Sequence, residues 1–327
     1  DNAATTRVCP EAAEAVSECK RAGIRPVMIT GDQPATASAI AGRLGIENKA
    51  VMTGAELESL SDDALLQTVQ TCSVYARVSP AHKMRIIKAF RRLKLVTAMT
   101  GDGVNDVLAL KDADCGIAMA SGAQAASQVA QLVLLDSDFG ALPHVVAEGR
   151  RVINNIQRSA SLFLVKNIFS VLLSVVSLVL PLTYPFLPLQ LSLLGAATIG
   201  TPAFFLALEP NHERVRGRFI SNVLQAALPG GITDFLLVFL AQGFCFAFDL
   251  SSDYLGTIST IVVLTVGLMV LWGVCRPFNT WHWVLWGAMA VIGYGGALLL
   301  APWLGLVKLD LGGTLVLVAL LGLAGPT

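Results

Sequence analysis

The chain has 327 residues, of which 54% are apolar and only 14% are charged, and its formal net charge at neutral pH is zero. A nucleic-acid-binding protein needs a surplus of Lys and Arg against the phosphate backbone, so the charge balance argues against that class. The mean hydropathy of +0.65 is too high for an ordinary soluble protein and predicts a lipid bilayer as a partner.

The charges are unevenly distributed along the chain. Residues 1–158 hold 17 basic and 17 acidic side chains, whereas residues 159–327 hold six of each. This division predicts a first domain in water and a second domain in hydrocarbon. The chain begins with Asp1 and has no basic and apolar leader, so we expect no signal peptide and a piece of a longer protein.

The first 140 residues alternate short apolar runs with amphipathic stretches, which is typical of parallel strands covered by helices. The predicted strands are 27–30, 73–77, 96–100, 116–119 and 132–135, and the predicted helices are 35–44, 82–93 and 106–111. The pattern predicts a doubly wound, Rossmann-like α/β fold. In such folds ligands bind beyond the carboxyl ends of the strands, so we expect Thr30 to Asp32 and Thr100 to Asp102 to converge.

From residue 159 onward the chain contains six apolar stretches, each near the roughly twenty residues that a helix needs to cross a bilayer core. These predicted spans are 159–181, 189–208, 222–248, 254–275, 281–303 and 309–325. The third contains Pro229-Gly230-Gly231, which predicts a break or a kink inside the span. We therefore expect an all-α bundle of six transmembrane helices.

The basic residues that flank these stretches predict the orientation. With the first domain in the cytoplasm, the positive-inside rule is obeyed. The residues then placed inside are Arg150, Arg151, Arg158, Arg214, Arg216, Arg218 and Arg276, and those placed outside are Asp249, Asp253, Lys308 and Asp310.

The strongest local motif is Thr100-Gly101-Asp102-Gly103-Val104-Asn105-Asp106, between a predicted strand and a helix. Two carboxylates four residues apart at a glycine-rich turn can hold Mg²⁺, which completes its octahedron with water and phosphate oxygens. Asp102 is the favoured ligand, and Asp106 is the second candidate. An isolated Gly-Asp-Gly is more often an ordinary turn with a helix cap, but the seven residues together are more specific.

Two further segments suit an anionic ligand. Thr30-Gly31-Asp32 offers a hydroxyl and backbone N–H groups at a helix start, although Asp32 before Pro34 is equally explained as a helix start alone. Lys83 can place an ammonium against a phosphoryl oxygen. A Thr-Gly-Asp loop, a lysine and a Mg²⁺ carboxylate at one sheet edge are typical of phosphoryl transfer through an aspartyl phosphate.

With these motifs, the chain resembles the carboxyl-terminal half of a bacterial P-type cation-transporting ATPase of the calcium and magnesium branch, whose phosphorylation domain has a haloacid dehalogenase-like fold. The resemblance covers nearly the whole chain in order. It rests on 28–32, 76–83, 99–111, 116–119, 148–150, 154–155 and the first two predicted spans.

The resemblance implies roles for individual residues. Thr30, Gly31 and Asp32 would bind the phosphoryl group, Lys83 would neutralise it, Asp102 would bind Mg²⁺, and Asn105 and Asp106 would complete the network. ATP would be the substrate. The family's phosphorylated Asp-Lys-Thr-Gly segment does not occur in the 327 residues.

The resemblance also implies partners and a location. The missing parts would be the actuator domain, the nucleotide-binding domain and the first four helices, and this chain alone would not hydrolyse ATP. The protein would be a multi-pass protein of the cell membrane, with residues 1–158 as the cytoplasmic part and residues 159–327 as the transmembrane domain.

The transported ion is less well defined by the sequence. In calcium pumps of the family the corresponding helices supply Asn and acidic ligands. Here Asn167 and Thr198 remain, but the acidic positions are Ser170 and Ile199. Calcium is favoured by overall similarity, and H⁺/K⁺, Mg²⁺, polyamine or lipid transport stays open.

Ionisable residues inside predicted spans are expensive and often mark a transport pathway. Lys166, beside Asn167, resembles the Lys-Asn pair of proton–potassium pumps and would act as a tethered cation, or else it snorkels to the interface. Thr198, Thr201 and Asp234 are further pathway candidates.

Two other classes of function stay open at this stage. The chain is either a soluble-type phosphatase domain fused to a membrane anchor or a non-catalytic membrane fragment. An upstream segment with the phosphorylated Asp would favour the pump over both.

Overall fold

The computed structural model describes residues 9–47, 50–180, 184–211 and 213–325. The chain divides into two compact units, Asp1–Ala147 and Glu148–Thr327. The predicted domain boundary at residue 158 lies inside one long helix, Leu142–Val179, which crosses the division between the units.

The first unit alternates strands with helices. Its strands are β1 (Met28–Ile29), β2 (Val51–Thr53), β3 (Val74–Ala76), β4 (Ala98–Gly101), β5 (Cys115–Met119) and β6 (Leu132–Leu134). Its helices are α1 (Pro10–Arg21), α2 (Pro34–Arg43), α3 (Gly54–Ser59), α4 (Asp62–Thr71), α5 (Pro80–Arg92), α6 (Val107–Asp112) and α7 (Gln124–Val129).

All described strand pairs in this unit are parallel. They form two three-stranded sheets, in the orders β1-β3-β2 and β4-β5-β6. Met28 pairs with Val74 in the first sheet, and Ala98 pairs with Cys115 in the second. The predicted α/β class is confirmed, but one continuous sheet was expected, and in the described residues β1 and β4 are both edge strands.

Local sequence explains where the helices begin. The Ser79 hydroxyl accepts a hydrogen bond from the His82 amide at the start of α5, and Pro80 occupies the first helical position. Ser61 caps α4 in the same way. The buried face of α5 includes Ile86 and Phe90 and packs in one core cluster with the fully buried Tyr75 of β3. This packing fixes α5 behind the carboxyl end of β3.

The second unit is helical. It comprises most of α8 (Leu142–Val179), followed by α9 (Pro188–Gly195), α10 (Thr201–Ala207), α11 (Phe219–Ala247), α12 (Ser252–Val274), α13 (Thr280–Leu299) and α14 (Leu311–Ala324). Among the described residues, five helical segments are long and apolar enough to cross a membrane, counting α9 to α10 as one.

The sixth predicted span, 309–325, differs from the prediction. Its helix α14 has 14 residues, and a helix of that length is about 21 Å long at 1.5 Å per residue. That is short of the hydrocarbon core, which is about 30 Å thick. Only five of the six predicted spans therefore have the required length.

The break predicted at Pro229 is also wrong in its position. Helix α11 continues through Pro229, Gly230 and Gly231. The irregular backbone lies instead between α9 and α10, where Ala196–Gly200 forms a π-helical turn. A π turn widens the helix and is frequent at functional sites.

Candidate functional site

The Thr30 to Asp32 loop directly follows β1, as predicted. The Thr30 hydroxyl donates to the Asp32 carboxylate at 2.9 Å and accepts a hydrogen bond from the Asp32 amide at 3.1 Å. Gly31 and Asp32 are exposed, whereas Thr30 is half-buried. The loop therefore holds its hydroxyl in a fixed place beside solvent.

This loop is tied to the segment that precedes α5. The Val78 amide donates to the Thr30 carbonyl at 3.2 Å, and the Arg77 amide donates to the Asp32 carbonyl at 3.0 Å. Arg77 has a φ of 50°, the left-handed region that a non-glycine residue seldom adopts. The turn therefore ties the segment that precedes α5 to the Thr-Gly-Asp loop.

Lys83 contacts the second predicted motif. Its Nζ lies 2.6 Å from Oδ1 of Asp106, and the two side chains are only 15% and 9% exposed. The other carboxylate oxygen of Asp106 accepts from the Gly103 amide at 3.4 Å. Both oxygens of Asp106 are thus engaged within the protein, and its carboxylate holds the Lys83 ammonium in place.

Two glycines permit the tight backbone around this pair. A Cβ atom at Gly101 would lie 2.5 Å from the Cβ of Asp106, and one at Gly122 would lie 2.4 Å from the Asp102 carbonyl oxygen. The Ala123 amide also donates to that carbonyl, at 2.7 Å. The loop after β5 therefore fixes the backbone of Asp102.

The side chain of Asp102 has a different environment from that of Asp106. It is exposed, and no described residue forms a hydrogen bond or an ion pair with its carboxylate. Among the described residues there is no cluster of three or more His, Cys, Asp or Glu that would hold a metal by itself. A single free carboxylate fits Mg²⁺, which keeps several waters and binds substrate phosphates.

Asn105 follows Asp102 by three residues, on the short helical turn Val104–Asp106, and its side chain is exposed. The structure thus brings together Lys83 and Asp106, and links the Thr30 loop to the start of α5. The metal role predicted for Asp106 stays a prediction, and the geometry favours Asp102 as the ligand.

The membrane unit contains a second candidate site, a cavity of about 30 Å³ between four helical segments. Lys166 of α8, Thr198 of the π turn and Asp234 of α11 are its polar lining residues, and the rest of the lining is apolar or glycine. Three of the five predicted pathway residues therefore meet in one place.

The other two pathway candidates do not line this cavity. Asn167 is exposed on α8, and Thr201 is half-buried at the start of α10. Lys166 lies close to Gly195, since its Nζ would be 3.9 Å from a Cβ atom there. The ammonium thus lies toward the end of α9, beside the π turn, and both interpretations of Lys166, a tethered cation and a snorkelling lysine, stay predictions.

A polar cluster that joins the interior of α8 to the end of α10 and the start of α13 was not predicted from the sequence. Glu209 accepts hydrogen bonds from Arg158 and His282, each at 2.8 Å, and from Asn279 at 2.9 Å. Asn155 donates to the Glu209 carbonyl at 2.9 Å. Isolated polar residues beside apolar stretches were the only signal, and spacing along the sequence does not show that they meet.

Comparison with known proteins finds a family match for part of the first unit. Residues 1–114 match the model of the haloacid dehalogenase-like hydrolases. That part of the chain contains the Thr30 loop, Lys83 and the motif that ends at Asp106.

Several curated bacterial proteins are similar over most of this chain. "Calcium-transporting ATPase CtpE" of Mycolicibacterium smegmatis is 37% identical over 302 residues, which are 88% of this chain and 38% of the relative. "Probable cation-transporting ATPase exp7" of Streptococcus pneumoniae is 34% identical, over 84% of this chain and 36% of the relative. "Calcium-transporting ATPase" of Bacillus subtilis is 39% identical over 61% of this chain. The chain thus spans less than two fifths of the length of these relatives.

Proposed function

We propose that this chain is the carboxyl-terminal part of an ATP-driven P-type cation pump, because it is similar over most of its length to bacterial proteins named calcium-transporting and cation-transporting ATPases. The pump would work through an aspartyl phosphate. The five membrane-length helices make the chain a multi-pass membrane protein, with its haloacid dehalogenase-like domain in the cytoplasm.

The observation that carries the proposal is the contact between Lys83 and Asp106. An ammonium held at 2.6 Å by a nearly buried carboxylate, beside an exposed and unpartnered Asp102, is suited to an anion that arrives with its own metal ion. The Thr30 loop is also hydrogen-bonded to Arg77 and Val78, just before the helix that carries Lys83. A purely structural ion pair would not explain this link.

Each residue then has a task in phosphoryl transfer. The Thr30 hydroxyl and the amides at Gly31 and Asp32 bind phosphoryl oxygens, and Lys83 neutralises their negative charge. Asp106 positions Lys83, and Asn105 completes the polar surface beside Asp102. Fixed donors and charges of this kind stabilise charge that develops in the transition state.

Mg²⁺ is the cofactor that this residue set fits, with Asp102 as its protein ligand. When bound, Mg²⁺ supplies a positive charge that offsets the charge on the transferred phosphoryl group. ATP is the proposed phosphoryl donor.

The phosphorylated Asp is proposed to come from another part of the longer protein. Support comes from the two edge strands β1 and β4, each of which presents an unpaired side to a further parallel strand. The same part would contribute the actuator domain, the nucleotide-binding domain and four more helices.

For the transported ion we propose Ca²⁺, on the strength of the names that several relatives carry. Lys166, Asn167, Thr198, Thr201 and Asp234 are the proposed pathway residues, of which three share the cavity.

The test is acid-stable phosphoenzyme formation from labelled ATP in membranes that contain the full-length protein. Labelling is measured across Ca²⁺, Mg²⁺, Mn²⁺, K⁺ and pH. We expect labelling to depend on Mg²⁺ and to rise with Ca²⁺. Asp102→Asn should lower it by about a hundredfold or more, the cost of removing one group that stabilises transferred charge.

The matched control is Asp63→Asn, which changes an exposed carboxylate of α4 far along the chain from the motif. This variant should label like the wild type. No labelling of the wild type under any condition would contradict the pump and favour a non-catalytic membrane fragment.

A further inference from the structure

Asp234 lies inside the membrane unit without a complete set of partners. It is 2% exposed, and its Oδ1 forms no hydrogen bond within the described part of the chain. A buried ionised carboxylate without a partner is strongly disfavoured, so this oxygen requires a ligand. The cavity that Asp234 lines is the place from which that ligand can be supplied.

Close helix contacts shape this cavity. A Cβ atom at Gly231, one turn before Asp234, would lie 2.8 Å from Ile168 and 3.0 Å from the Val165 carbonyl oxygen of α8. A Cβ atom at Gly267 of α12 would lie 2.7 Å from Thr198. Glycine therefore lets α11 approach α8, and α12 approach the π turn, so that these elements lie close together around the cavity.

The cavity offers few oxygen ligands for a metal ion. Its side-chain oxygens come from Asp234 and Thr198, and the Thr198 hydroxyl already donates to the Leu194 carbonyl at 2.7 Å. Calcium takes six to eight oxygens. A volume of about 30 Å³ has room for a water molecule or two, but not for a metal ion with its hydration shell.

Lys166 places a positive charge in the same cavity. No described residue forms a hydrogen bond or an ion pair with its ammonium, and no ion pair within 4.0 Å joins it to Asp234. Among the described residues that line the cavity, Lys166 and Asp234 are the titratable ones, and α12 and the π turn add none. Helix α14 also packs on α11, and its sequence contains no titratable residue. A metal ion would be repelled from this cavity by the ammonium, so the three lining residues belong to the proposed pathway without binding Ca²⁺ themselves.

We propose that Asp234 is a proton-binding site, and that the ammonium of Lys166 controls its occupancy. A proton from water in the cavity forms an O–H bond at Oδ1 and leaves a neutral carboxylic acid. The reverse step returns the proton to water. When the ammonium is close, the carboxylate is favoured, and when it is distant, the acid is favoured.

Infrared spectroscopy of the full-length protein in lipid nanodiscs tests the proposal without relying on ATP hydrolysis. The signal is the C=O stretch of a protonated carboxyl group, recorded from mildly acidic to mildly alkaline pH. We expect a band that disappears as the pH rises, that moves to lower frequency with ¹³C-labelled aspartate, and that Asp234→Asn lacks. The isotope shift assigns the band to aspartate even where Asp234→Asn does not fold.

Lys166→Met gives the sharper result. Without the ammonium the carboxylate loses its stabilising charge, so the band should persist to a pH higher by about one unit or more. A lysine with only a structural role would leave the titration of the band unchanged. Asp253→Asn, an exposed carboxylate at the start of α12, is the control and should leave the band and its titration unchanged.

Three results would overturn the proposal. The first is the absence of an aspartate band over the whole pH range in both the wild type and Lys166→Met. The second is a band whose pH dependence does not change in Lys166→Met. The third is loss of the band on addition of Ca²⁺, Mn²⁺ or K⁺ at constant pH, which would assign the carboxylate to a metal ion. These outcomes do not depend on phosphoenzyme formation, so they are distinct from failure of the pump itself.

Discussion

At the residue scale, Asp106 shows how a buried charge can serve a neighbouring group. Its carboxylate is bonded to Lys83 and to the Gly103 amide, and it approaches so closely that only glycine fits at position 101. Asp102, four residues earlier, is left exposed. The two carboxylates of one motif therefore have separate tasks, one holding a lysine and the other open to a metal ion.

We predict that Lys83→Met in the full-length protein lowers phosphoenzyme formation by about a hundredfold or more. The variant removes the charge that would neutralise the phosphoryl group, and it also leaves the Asp106 carboxylate buried without its counter-ion, so thermal stability should fall as well. Phosphorylation from labelled ATP and thermal unfolding measure the two effects.

Lys88→Met on the same helix is the control, because Lys88 is half-exposed and its Nζ lies 3.6 Å from Asp112 at the surface. Exposed ion pairs contribute little to the free energy of folding, so phosphoenzyme formation and thermal stability should both stay near the wild-type values. Equal losses in Lys83→Met and Lys88→Met would refute a specific role for Lys83.

At the scale of elements, polar contacts join α8 to the end of α10 and the start of α13. Glu209, just beyond α10, connects Arg158 of α8 with His282 of α13 through hydrogen bonds of 2.8 Å. Burial alone would raise the pKa of the Glu209 carboxyl, but the hydrogen bond and charge of His282, followed by Arg158 and Asn279, hold that pKa below its ordinary value. The cluster thus favours the ionised carboxylate.

The lowered pKa of Glu209 gives a pH prediction. A group with a depressed pKa stabilises the folded state above its unfolded pKa, and this stabilisation is lost as the pH falls through the folded pKa. Thermal stability of the full-length protein in detergent should therefore decrease on acidification. Glu209→Gln should be less stable at neutral pH by up to about 3 kcal/mol, and its stability should depend less on acid pH.

Glu213→Gln is the matched control, since Glu213 is exposed and its hydrogen bonds use the backbone, the carbonyl with Asn154 and the amide with Asn211. It should follow the wild-type stability curve. If Glu209→Gln retained the wild-type pH dependence, the stabilising role of the ionised carboxylate would be excluded.

The segment from α9 to α10 contains an irregular turn that the hydropathy pattern does not predict. Hydropathy predicted one span at 189–208, and the segment is indeed membrane-length, but the Ala196–Gly200 π turn divides it. Proline and glycine at 229–231 looked like the natural break. That segment stays helical, and its glycines allow close packing against α8 and α12.

At the scale of the whole molecule, the five spans and the positive-inside rule define a topology. We predict that the loop between α10 and α11 faces the cytoplasm and that the turn between α11 and α12 faces outward. In a Cys9→Ser background, Arg216→Cys should react with a membrane-impermeant thiol reagent in inside-out vesicles. Ser251→Cys should react in right-side-out vesicles.

Cys9 is replaced because it is the exposed native cysteine of the described chain. Cys9→Ser without an added cysteine is the baseline for labelling. Reaction of both introduced cysteines from the same side would contradict the orientation, because α11 separates them by 29 helical residues, about 44 Å.

Local sequence patterns are enough to predict the α/β class of the first unit, the strands that precede both motifs, the membrane character of the second unit and the similarity to cation-transporting ATPases. These properties depend on local patterns: strand-then-glycine motifs, hydropathy and charge segregation. Each of these patterns involves residues that are near one another in the chain, so each can be identified without the tertiary structure.

Tertiary structure alone decided which residues meet. The Lys83–Asp106 contact, the cavity shared by Lys166, Thr198 and Asp234, and the Glu209 cluster each join residues from separate helices. Helix length decided that α14 falls short of a span, and packing decided that the irregular turn lies at Ala196–Gly200. These contacts depend on how closely one helix or strand backbone approaches another. The types of the side chains and their spacing along the sequence do not specify that approach.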